Sequence, residues 1–149
     1  MAIEQLNEQL ALVACIDPAD KGTGTHASDV IDMALHHRCL FTVASGLLDQ
    51  GTTVDFKVQE SIAGGATWVD LTGKAITTFD ATDDNSQARV EVCDDEMTET
   101  YRYLRGVLTV THATEPTGCG LLTVWADADR CRYKPSSLQD LASVVEVVQ

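Results

Sequence analysis

Apolar and polar residues alternate with a period of two along most of the chain. The clearest run is 53–61, where Val54, Phe56 and Val58 fall on one side and Thr53, Asp55, Lys57 and Gln59 on the other. A slip of one residue would bury a lysine and an aspartate, so the two faces are firmly assigned. The same rhythm places Cys39, Phe41 and Val43 together, and Ala88, Val90 and Val92 together. It also predicts a long strand over 100–113, with Gly106 near its middle as a bulge or close-packing point. Further strands are expected over 12–16, 67–73, 120–128 and 131–135. The first ends at Asp17-Pro18 and the second at Gly73. Trp125 follows Leu121 and Thr123 on one strand face and is expected to pack inside.

Turn formers separate these runs at 46–51, 62–66, 80–86 and 114–120, and 94–96 breaks another strand. Eight or nine short strands at near-regular spacing, with no helical crossovers, predict an all-β antiparallel β-sandwich, jelly-roll-like in form. At the start, Ile3, Leu6 and Leu10 recur at helical spacing, which suits a short N-terminal helix or a docking arm. Such a segment is marginal alone and would take its order from contact with something else. Beyond Pro135, Leu138, Leu141, Val144 and Val145 form the apolar side of a C-terminal arm. The expected organisation is an N-terminal arm and loop over 1–28, a β-sandwich domain over 29–135 and a C-terminal arm over 136–149.

A chain of 149 residues is the size of one domain. It can bury roughly 70% of its unfolded surface and needs neither metal nor disulfide to hold a core. Twenty-three acidic residues against 10 basic give a formal charge of −13, which repels phosphate backbones and anionic lipid. Neither nucleic acid nor membrane is an expected partner. The opening MAIEQLNEQL lacks the basic and apolar regions of a secretory signal, and no apolar run approaches the ~20 residues of a membrane span.

Candidate chemistry is sparse. Adjacent residues of a strand point to opposite faces, so His36 and His37 do not converge on one ligand. His26 and His112 stand alone, and no nucleophile elbow, phosphate loop or HExxH helix occurs. The expectation is no enzyme activity and no cofactor. Asp80, Asp83 and Asp84, and separately Asp94, Asp95 and Glu96, offer hard oxygens for calcium, with the first three the first choice for a divalent ion, but these residue types also favour turns through side-chain to backbone bonds. Cys15, Cys39, Cys93, Cys119 and Cys131 contain no CxxC pair. Most read as small buried hydrophobes, while the odd number leaves at least one thiol for an intermolecular disulfide in an oxidising environment. Trp68, beside a Gly-Gly turn, is the better exposed aromatic and raises a carbohydrate-binding module as an alternative function.

Three stretches taken in order resemble a group of small virion structural proteins of tailed phages. They are VDFKVQES with the TWVDLTG that follows (54–73), YRYLRGVLTVT (101–111) and the closing RYKP (132–135). The resemblance covers roughly 29–135 and implies a capsid decoration (cement) protein, or another virion part such as a neck, tail or baseplate subunit. It also implies a homo-oligomer, with a trimer favoured, that binds the major capsid protein or other virion proteins. The expected location is the virion, assembled in the host cytoplasm. In that setting Ile3, Leu6, Leu10, Leu138, Leu141, Val144 and Val145 are the expected partner contacts. The cysteines are more numerous than the resemblance leads one to expect.

Overall fold

A computed structural model describes residues 9–63, 65 and 67–129. Among these residues ten strands form two antiparallel sheets. They are β1 (Leu10–Lys21), β2 (Gly24–Ala27), β3 (Ile31–Asp32), β4 (Arg38–Leu48), β5 (Thr52–Ser61), β6 (Val69–Ala75), β7 (Phe79–Asp80), β8 (Gln87–Cys93), β9 (Tyr103–His112) and β10 (Gly120–Asp129). A 3₁₀ turn, Asp94–Glu96, follows β8. One sheet has the order β1-β10-β4-β8, and the other β2-β9-β5-β6, with β3 on β9 and β7 on β5. The chain passes repeatedly from sheet to sheet, and the earliest strands lie beside the latest, β1 on β10 and β2 on β9. That order is the jelly roll, the double Greek-key solution for an antiparallel sandwich.

The alternation read from the sequence is what builds the core. Phe41 and Val43 of β4 face Val54, Phe56 and Val58 of β5 across the gap, all of them buried. The Phe41 and Phe56 rings meet tilted, with centroids 5.7 Å apart. Gly106 of β9 lies directly against them. A Cβ there would come within 2.7 Å of the Phe56 ring and 3.1 Å of Phe41, so the close approach requires glycine. From β10, Leu122, Val124, Ala126 and Ala128 complete the interior.

Several expectations shift. Residues 10–27, read as the end of an arm, a five-residue strand and a loop, form β1 and β2, one in each sheet. Asp17-Pro18 does not end β1. It sits in a register shift between Ile16 and Ala19, where an edge strand tolerates a residue without an N–H. Gly73 likewise continues β6: its φ of +78° absorbs an irregularity opposite 57–59, and pairing resumes at Ala75. Trp125 faces outward and is half-buried, because Leu122, Val124 and Ala126 take the inward positions of β10. The strand expected at 131–135 lies outside the described residues.

Candidate functional site

The seven apolar side chains expected to contact a partner fall almost wholly outside the described residues. Leu10 is within them: it opens β1, pairs with Asp129 and is 38% exposed. Ile3, Leu6, Leu138, Leu141, Val144 and Val145 lie outside. The Leu10–Asp129 pairing fixes one relation between the two ends of the described chain. The first residue of β1 and the last of β10 are neighbours at one corner of the four-stranded sheet.

The residues with chemical potential are engaged in holding turns and strand ends. His36 and His37 lie just before β4 rather than inside it, yet they still diverge. His36 is buried with its Nδ1 2.8 Å from the Asp129 carbonyl, and His37 is exposed with its Nδ1 3.4 Å from Asp94. Asp129 also accepts the backbone N–H groups of His37 and Arg38 at 2.9 and 3.0 Å. Asp80 accepts the Thr82 N–H at 2.7 Å, and Asp83 the Asp80 N–H at 3.0 Å. The Asp84 carboxylate accepts the Leu48 N–H at 2.7 Å. These carboxylates serve as turn locks, as their residue types favour. Among the described residues no three His, Cys, Asp or Glu side chains are grouped to hold a metal ion. No helix among them is long and apolar enough to cross a membrane.

Cys39, Cys93 and Cys119 are free thiols, and Cys131 lies outside the described residues. Burial, reinforced by Asp127 and Asp129, pushes the Cys39 thiol far above its ordinary range. Desolvation, then Glu96, Glu91 and Asp95, raises that of Cys93. Cys119 is buried with its Sγ donating to the Glu115 carbonyl at 3.3 Å. The Cys15 Sγ lies 3.5 Å from Asp17 and 3.7 Å from Asp29. For Cys39 and Cys93 the surroundings disfavour the thiolate, which is the nucleophile in disulfide exchange.

The most organised polar surface is one the sequence reading did not assemble. On the outward side of the six-stranded sheet, Gln59 of β5 pairs with Arg105 of β9 on one flank and Asp70 of β6 on the other. Arg105 donates from Nε and Nη2 to Gln59 Oε1 at 3.0 and 2.7 Å, and its guanidinium lies 4.4 Å from the centroid of the Trp68 ring. Gln59 Nε2 donates to Asp70 Oδ1 at 2.7 Å, and Lys57 Nζ to Asp70 Oδ2 at 2.7 Å. The Lys57 ammonium and the Gln59 amide hold the Asp70 carboxyl below its usual range. Beside this network, Ser61, Ile62, Ala63, Thr67 and Tyr101 line a cavity of about 270 Å³. Inside the sandwich at the same end, the buried Glu60 carboxylate accepts the Thr98 N–H and hydroxyl at 3.0 and 2.5 Å. The alternation of Lys57, Gln59 and Arg105 marks their shared face, but stacking on Trp68 depends on strand register that spacing alone does not reveal.

No family model matches the chain, and no curated protein matches it. Its sheets are similar to those in solved structures of three viruses. Desmodium yellow mottle tymovirus is 15% identical with a TM-score of 0.40, over 86% of this chain and 91% of that one. Turnip yellow mosaic virus is 13% identical with a TM-score of 0.41, over 92% and 89%. Infectious bursal disease virus, Gx strain, is 8% identical with a TM-score of 0.41, over 80% and 31%. Likeness at this level lies within what a shared sheet architecture produces. The chain is a jelly-roll sandwich, and a fold of this kind hosts many roles.

Proposed function

We propose that the chain is a virion structural subunit, a decoration (cement) protein that binds and stabilises a phage capsid through contacts with the major capsid protein and with copies of itself, as a trimer. The observation that carries this reading is the pairing of Leu10 with Asp129. It sets the first residue of β1 beside the last of β10 at one corner of the sandwich, so the chain before 10 and after 129 departs from neighbouring points. Two apolar arms attached at neighbouring points would act on a partner surface as linked sites, and linkage multiplies weak contacts through effective concentration. Arms that order only on docking lose entropy, which the repetition of the contact over a shell offsets. The sequence resemblance to small tailed-phage virion proteins supports the same reading.

The test removes the arms while leaving β1 whole. Deletion of residues 1–8, of 136–149, or of both leaves the far-ultraviolet circular dichroism of a β-sandwich. Each single deletion weakens co-sedimentation with capsids purified without this protein, and the double deletion abolishes it. Full binding by the double deletion overturns the proposal. Light scattering on the intact chain checks the trimer separately, expecting three times 16.1 kDa.

A further inference from the structure

We propose that the Arg105–Trp68 pair and the cavity beside it form a binding site for a carboxylate-bearing sugar. The first ground is charge. In a chain of formal charge −13, Lys57, Lys74 and Arg102 each hold a carboxylate, respectively Asp70, Glu96 and Asp32, while Lys21, Arg38, Arg89 and Arg105 form no ion pair among the described residues. Arg105 is half-buried, and among the described residues its guanidinium hydrogen-bonds only the neutral amide of Gln59. Burial depresses its pKa. A charge removed from water without a counter-ion is unfavourable unless something supplies one.

The second ground is geometry. Gln59 Oε1 takes the edge formed by Nε and Nη2, and Nη1 has no partner among the described residues. The end-on edge, Nη1 with the second Nη2 proton, is therefore free to grip a carboxylate through two parallel bonds. The edge is held in place on two sides, by the Trp68 ring and by Gln59, itself anchored on Asp70. The side chain needs little reorganisation to bind.

The third ground is the cavity. Trp68 is next in the chain to Thr67, and Ser61 lies two residues along β5 from Gln59, so the cavity opens at the same end of the sheet, about 7 Å along the strand from the Gln59–Arg105 pair. Its size suits one sugar ring. Its lining mixes an aromatic ring, Tyr101, with the hydroxyl-bearing Ser61 and Thr67 and the apolar Ile62 and Ala63. Sugars present the same mixture, with apolar ring faces and hydroxyl edges.

The experiment is a titration of the full ¹⁵N-labelled chain with glucuronic acid, its methyl ester, glucose and acetate at physiological salt, followed by NMR. Saturable movement of the Trp68 indole and Arg105 Nε signals is expected with glucuronic acid. The ester, glucose and acetate each bind at least ~10-fold more weakly, since each lacks either the charged grip or the ring. Arg105→Gln weakens glucuronic acid by at least ~10-fold with an unchanged amide spectrum elsewhere, and Arg105→Lys weakens it too because the fork is lost. Three outcomes overturn the proposal: no saturable shift, equal affinity for acid and ester, or equal affinity for acid and acetate. Should Arg105→Gln fail to fold, the acid and ester comparison on the wild-type chain decides.

Discussion

Asp70 and Asp127 both sit on outward faces of the same sandwich, yet their surroundings push them in opposite directions. On the six-stranded sheet, Asp70 is bound by Lys57 and Gln59, and its carboxyl is held low. On the four-stranded sheet, Asp127 lies between Leu12 on β1 and Leu40 on β4, two residues from Trp125. Desolvation among these neighbours raises its carboxyl, with Arg89 opposing only in part. Inward, the sheets are alike, each contributing a phenylalanine to one ring contact. Outward, one pairs its aspartate with a lysine and an amide while the other presents leucines and a tryptophan around an aspartate. Burial makes cores converge; the outer faces are where two sheets of one fold become different surfaces.

The largest test of the inward likeness is truncation of its rings. Phe41→Ala and Phe56→Ala should each lower unfolding free energy by ~3–5 kcal/mol in urea titrations, because each leaves a cavity in the same layer. A large difference between them would break the symmetry claimed for the interior. Gly106→Ala follows at about 1–3 kcal/mol, since the new methyl group meets both rings. A neutral result there would mean that the rings move apart freely.

The smallest effects sharpen the outward contrast, and they differ in sign. The folded-state pKa of Asp70 is below the ordinary 3.8, so its contribution is present above that pH and disappears as pH falls through the lowered value. Asp70→Asn should therefore lower Tm at pH 7 and leave it unchanged in strong acid. The pair is mostly exposed, so the loss stays under ~1 kcal/mol. The folded-state pKa of Asp127 is above 3.8, so its cost is absent in acid and grows as pH rises through the raised value. Asp127→Asn should raise Tm at pH 7 and not in strong acid. Thermal melts of the two variants at both pH values check this, and shifts of the same sign would erase the distinction between the faces.

Much of the sandwich was readable in advance because burial enforces a two-residue period. Val54, Phe56 and Val58, or Val90 and Val92, have no other arrangement that hides them. Gly106 was legible as a close-packing point for a similar reason: its long strand has a single gap in side-chain volume. The misreadings arose where local signals oppose long-range pairing. Pro18 reads as a stop, but its edge position lets β1 run on to Lys21. Trp125 reads as core by size, yet Leu122 and Val124 already fill the inward row. The Arg105–Trp68 stack joins residues 37 positions apart through register, so no window of sequence displays it. Ile3 and Leu138, on which the capsid reading leans, remain part of the proposal about the arms.

The irregularity at Asp17-Pro18 has a further consequence. Among the described residues β1 borders its sheet, and an uninterrupted border strand offers a row of free N–H and C=O groups on which another chain could grow a sheet. A missing donor at Pro18, a broken register, and the exposed acidic side chains Asp17 and Asp20 make that margin a poor template for runaway stacking. Protein packed at high local concentration is thereby steered away from fibrils.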